Sequence, residues 1–147
     1  MTIKEALNIA INTTYPFDHP FNIKEFILKI CKQKQITTGT FEFSFVDEQT
    51  ITSINKNHLK HNNPTDTITF NLGSIKEPDA DIYICIPIAK KNAITFKNTF
   101  KSELKLLIIH TILHTIGYTD TSLKEKKEME QEQSLLLKQF TTKNNET

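Results

Sequence analysis

Tryptophan is absent from this 147-residue sequence, and glycine occurs only three times, cysteine twice and proline five times. No Gly/Ser-rich or Pro-rich linker divides the chain, and no internal repeat shows, so it is read as one unit, residues 1–147. The two cysteines, Cys31 and Cys85, lack C-x-x-C spacing and lie in an expected helix and an expected strand. They are read as buried thiols of a reducing compartment, not as a disulfide framework. A charge excess is also missing, with a formal net charge of +1. That balance argues against a dedicated DNA binder, which would be far more basic, but leaves room for a local basic patch. No apolar run approaches the length of a membrane span, and Lys4, Glu5 and Asn8 interrupt the N-terminus as a signal peptide would not allow. The expectation is a cytoplasmic protein without a membrane partner.

The hydrophobic share of 37% is ordinary for a globular domain. The first twenty residues are weakly patterned and read as loop. Asn22, followed three residues later by Glu25, has the form of a helix start, with Ile23, Phe26, Ile27 and Ile30 at helical spacing behind it. Phe41, Phe43 and Phe45 alternate with Glu42 and Ser44, which predicts a half-buried strand. Asp47 is placed to cap a second helix running to about His58. Thr67 to Phe70 and Ile82 to Ile86 predict two further strands, the second ended by Pro87, before a short helix around Ala89 and Ala93. A helix from about Thr99 to Ile116 is apolar on every side and so belongs in the interior. Gly117 would end it, and Thr121 or Ser122 would cap a last helix with Met129, Leu136 and Phe140 inward. The irregular order of helices and strands predicts an α+β fold, a small mixed sheet with a buried metal-binding helix and surrounding helices.

That buried helix reads His110-Thr-Ile-Leu-His114. Residues four apart share one helical face, with Cβ atoms about 5–6 Å apart. Two imidazoles so placed can converge on one ion, and the turn at Gly117 lets the chain return Asp120 to it. One divalent cation, zinc by preference, is therefore expected on His110, His114 and Asp120. Three protein donors leave a position for water, which marks a catalytic rather than a structural site. Zinc proteases place a glutamate base directly after the first histidine. Here that position is Thr111, so a metalloprotease lacks its base.

The run from His110 through Gly117-Tyr118 to Asp120 resembles the signature of the YbeY family of bacterial endoribonucleases. Upstream, Asn63-Pro64-Thr65-Asp66-Thr67-Ile68-Thr69-Phe70 and Asp81-Ile82-Tyr83-Ile84 resemble further segments of that family, with Asn55 and Glu103 at matching positions. The family's third metal histidine falls on Asp120, its glycine after the first histidine on Thr111, and a lead-in arginine on Leu59. The resemblance implies a single-strand-specific, metal-dependent endoribonuclease. Such an enzyme acts in 3′-end maturation of the small-subunit ribosomal RNA and in ribosome quality control, with that RNA and the small subunit as partners. Lys60 and His61 are candidates for touching the RNA backbone, while Asn55 and Asp66 are candidates for ordering or lining the same cleft. No residue stands out as general base. The rival is a zinc-stabilised module that binds ribosome or RNA without cutting.

Overall fold

A computed structural model describes residues 7–59 and 65–141, the side chains of His58 and Leu59 excepted. In chain order the elements are β1 (Leu7–Thr13), α1 (Ile23–Gln33), β2 (Gly39–Val46), α2 (Glu48–Leu59), β3 (Thr67–Asn71), β4 (Asp79–Cys85), α3 (Ile86–Thr95), α4 (Phe100–Thr115) and α5 (Leu123–Gln139). The strands form one sheet in the order β1-β2-β4-β3. β1 and β4 both run parallel to β2, and β3 runs antiparallel to β4, so the sheet is mixed and the fold α+β, as the sequence predicts.

Local chemistry accounts for most boundaries. The Asn22 side-chain oxygen accepts the Glu25 amide at 3.1 Å and starts α1. Asp47 does the same for Thr50 at 2.8 Å at the head of α2. Ser122, and not Thr121, caps α5 by accepting the Glu125 amide at 3.1 Å. Pro87 falls within the first turn of α3 instead of merely ending a strand. Its missing N–H has no intrahelical partner there and costs nothing.

Two expectations need correction. Residues 7–13 are a strand, not loop. Leu7, Ile9 and Ile11 alternate with polar or small residues, but β1 is an edge strand and buries only Ile9, so its pattern is faint. β4 begins at Asp79, earlier than Ile82, because pairing with β2 and β3 carries the ladder past the apolar stretch.

Phe41, Phe43 and Phe45 project from β2 into the main core against α1 and α4 and are fully buried. On the opposite side Val46, Ile51, Ile68 and Cys85 form a smaller cluster under α2. α4 lies between α3, α5 and the sheet. Leu104, Leu107, Ile108, Ile109, Ile112 and Leu113 are all buried on it. At about 1.5–3 kcal/mol for each such side chain, this burial outweighs the cost of enclosing the polar residues on the same helix. Thr111 and Thr115 reduce that cost themselves. Their hydroxyls donate at 2.8 Å to the carbonyls of Ile108 and Thr111. Cys31 and Cys85 are free and buried, and burial pushes the Cys31 thiol up to about 12. A thiol held protonated in this way is unreactive. No described helix is long and apolar enough to cross a membrane.

Candidate metal centre

The interior position of α4 decides where its two histidines emerge. Most of the helix is enclosed, but His110 is half-buried and His114 exposed, so the last turns carry imidazoles from the core to the surface. Their ring centroids are 6.0 Å apart. Two rings bound through nitrogen to one tetrahedral ion at about 2.0–2.1 Å would stand about 1 Å closer than this, a change within reach of side-chain rotation.

The orientation of each ring is fixed by its other nitrogen. His114 Nδ1 lies 2.9 Å from the Tyr118 carbonyl oxygen. A carbonyl only accepts, so Nδ1 carries the proton and the lone pair of a neutral ring sits on Nε2. His110 Nδ1 lies 2.6 Å from the Gln133 side-chain oxygen on α5, with the same consequence. Both rings therefore keep Nε2 as donor, the arrangement in which metal-binding histidines are commonly held. On this chemistry the histidine pair fits a divalent cation.

Asp120 is placed differently. It is exposed in the turn after α4, where Thr119 and Thr121 lie within hydrogen-bonding distance and Thr121 donates to Glu125 at the head of α5. Among the described residues no three of His, Cys, Asp and Glu stand together closely enough to hold an ion. The turn itself is set by Gly117 at φ +109°, with the Tyr118 amide donating to the Leu113 carbonyl at 3.0 Å. A Cβ on Gly117 would come within 3.1 Å of Ile75 from the β3–β4 loop. A surface hollow of about 290 Å³ opens beside this turn, lined by Ile116, Gly117, Tyr118, Thr119, Glu125 and Glu128.

Towards the other end of α4, a polar cluster joins that helix to the start of β3. Asp66 accepts the Asn92 side-chain amide at 3.3 Å and, through its carbonyl, the Cys85 amide at 2.9 Å. Asp66 thus ties β3 to α3 and β4. Glu103 is only 3% exposed, and its Oε1 has no hydrogen-bond partner among the described residues. Burial, reinforced by the Asp66 charge, pushes the Glu103 carboxyl above its ordinary value, against hydrogen bonds from Asn92 and Asn98. Asn55 is buried on α2. Lys60 and His61 lie outside the described residues.

The endoribonuclease YbeY family model matches residues 11–141. This chain belongs to that family. Endoribonuclease YbeY of Karelsulcia muelleri (strain GWSS) is 34% identical over 131 residues, covering 89% of this chain and 93% of the relative. Endoribonuclease YbeY of Chlorobium phaeobacteroides (strain DSM 266) is 31% identical over 140 residues, covering 95% and 88%. A Thermotoga maritima protein solved in solution is 32% identical, with a TM-score of 0.67 over 88% of this chain and 86% of its own.

The sequence places both histidines on one helical face but carries no sign of what orients their rings. Gln133 lies 23 residues beyond His110 on a mostly polar helix, and Tyr118 acts through a main-chain carbonyl that no residue type marks. Thr111, by contrast, is disposed of as a base twice over. It lacks the chemistry, and its hydroxyl is committed to Ile108 in the interior.

Proposed function

We propose that the protein is a metal-dependent endoribonuclease that cuts single-stranded RNA. Its place is in 3′-end maturation of the small-subunit ribosomal RNA and in ribosome quality control in the cytoplasm. Family membership supports the RNA substrate. The observation that carries the metal is the pair of imidazoles whose Nδ1 atoms are both engaged, leaving two Nε2 donors on one helical face.

His110 and His114 would hold one zinc ion, with the Asp120 carboxylate as third donor brought in by movement of the turn. When bound, the ion supplies acidified water and Lewis-acid polarisation of a phosphoryl oxygen. Everything else falls to the chain. Gln133 and the Tyr118 carbonyl keep the rings in one tautomer. The network of Asp66 and Asn92 fixes the start of β3, from which residues 60–64 lead back to α2. Lys60 and His61 in that segment are the proposed contacts to the RNA backbone, ordered from α2 by Asn55.

The test is metal content of untagged protein by elemental analysis, wild type against Asp120→Ala, followed by cleavage of structured ribosomal RNA with and without chelator. About one zinc per chain, weakened by Asp120→Ala, together with chelator-sensitive cutting abolished in a folded His114→Ala protein, is expected. RNA binding without metal-dependent cutting would instead establish a binding module.

A further inference from the structure

The end of α1, α5 and the turn after α4 meet at the Lys34 ammonium. Lys34 caps the C-terminus of α1, and its ammonium donates to the Tyr118 hydroxyl at 3.1 Å while lying 5.2 Å from the centre of the same ring. From α5, Glu132 accepts a hydrogen bond from the same ammonium at 2.7 Å. The Lys34–Glu132 pair is mostly enclosed, with side chains 18% and 25% exposed. Burial works to lower the Lys34 pKa, but the hydrogen bonds to Glu132 and Tyr118 outweigh it and leave the lysine more firmly charged than usual. A shielded, charge-assisted contact of this kind holds its geometry far better than a surface ion pair.

Tyr118 is also the residue whose carbonyl receives the His114 Nδ1 proton. That carbonyl follows Gly117 in a turn held at its start by the Gly117 amide on the His114 carbonyl at 3.2 Å and the Tyr118 amide on the Leu113 carbonyl at 3.0 Å. Both bonds engage amides that precede this carbonyl, and they leave rotation about the Tyr118 Cα–C bond, which aims it, to other contacts. The side chain of Tyr118 supplies a further anchor, its ring packed against the main core and its hydroxyl gripped by Lys34. Neighbouring residues of α5 therefore brace both histidines. Gln133 acts on His110 directly, and Glu132 acts on His114 through Lys34 and Tyr118.

We propose that Lys34 is a positioning residue for the metal centre, acting through Tyr118 to hold His114 with Nε2 free. The proposal rests on the metal-dependent function above. Among the described residues Lys34 bonds to Tyr118 and Glu132 and to neither histidine. Outer partners of metal-binding histidines typically change affinity by about 10–100-fold when removed.

The experiment is a zinc titration of the full chain against a competing chelator for wild type, Lys34→Met, Lys34→Arg and Tyr118→Phe. Thermal melting and nitrogen NMR of the His114 ring in metal-free protein accompany it. Lys34→Met and Tyr118→Phe are expected to weaken zinc about tenfold and to convert the single His114 tautomer into a mixture. Lys34→Arg, which keeps both the donor and the cation over the ring, is expected to restore most of the affinity. Tyr118→Phe removes only a hydroxyl and preserves a folded test if Lys34→Met does not fold. Unchanged zinc affinity and an unchanged His114 tautomer in a folded Lys34→Met or Tyr118→Phe protein would overturn the proposal. A wild type that takes up no zinc removes the metal reading itself and this role with it, an outcome distinct from equal affinities.

Discussion

Replacing Gln133 tests the tautomer argument most directly, because one position can be graded from no acceptor to a charged one. In the wild type its amide oxygen lies 2.6 Å from His110 Nδ1. Leucine at this position keeps much of the side-chain bulk but removes the acceptor. The ring then loses a hydrogen bond worth about 0.5–1.5 kcal/mol net, along with the bias that keeps its proton off Nε2. Half-burial of His110 leaves water only a partial substitute. Combined with reorientation of the ring, the loss in zinc affinity should reach about 10–100-fold, or about 1.4–2.8 kcal/mol. Glutamate offers the same reach with a charged acceptor, and charge-assisted hydrogen bonds are roughly twice as strong. Gln133→Glu should therefore bind zinc more tightly than wild type. The assay is competition with a chromophoric chelator at neutral pH, with circular dichroism confirming the fold of each variant. The expected order is Glu above Gln above Leu. Three equal affinities would refute the claim that Gln133 sets the His110 donor atom.

Three further outcomes follow from the geometry. Glu103→Gln should stabilise the protein at pH 7, by about 1 kcal/mol, since it removes a buried charge whose Oε1 has no hydrogen-bond partner among the described residues. The Glu103 pKa is raised in the folded state. The native protein therefore binds more protons than the unfolded chain just above the ordinary carboxylate range, and stability falls as pH rises through that window. The advantage of the Glu103→Gln variant should accordingly vanish below about pH 4 in parallel urea melts, and a variant less stable at both pH values would contradict the argument. Gly117→Ala forces a side chain into φ +109° and against Ile75, so it should cost about 1–3 kcal/mol and lower the melting temperature by several degrees. A melting temperature equal to wild type would show that the turn relaxes freely. Phe43→Ala empties a fully buried site between the sheet and the helices and should cost about 3–5 kcal/mol in denaturant unfolding; a loss under about 1 kcal/mol would mean that the core refills.

The fold was legible where short-range chemistry coincided with strong patterning. Asn22, Asp47 and Ser122 each satisfy an amide three residues on, and such caps leave a local trace. The alternating phenylalanines of β2 and the all-round apolar surface of α4 translate directly into full burial. β1 was not legible because an edge strand buries one residue and borrows its order from the Gly39–Phe45 ladder. The candidate centre divides along the same line. His110 and His114 are marked by spacing within one helix. Their acceptors come from a main-chain oxygen and from a glutamine on a helix that is mostly polar, and these leave no periodic signal. Asp120 was expected from the turn at Gly117 and from its position in the motif, but the turn that carries it is tied to α5, and among the described residues it does not join the histidines as a third donor.

The contacts of Lys34 span 84 residues to Tyr118 and 98 to Glu132. Pairings of such sequence separation are the slowest to close, because a long loop must lose its freedom before they form. During synthesis a chain released only as far as α4 already contains both imidazoles but lacks the segment that would orient either of them. The orientation of both rings therefore depends on residues that follow them in the chain. A chain clipped after Asp120 would carry the run His110–Asp120 but lack Gln133 and Glu132, and with them the acceptor for His110 and the partner of Lys34.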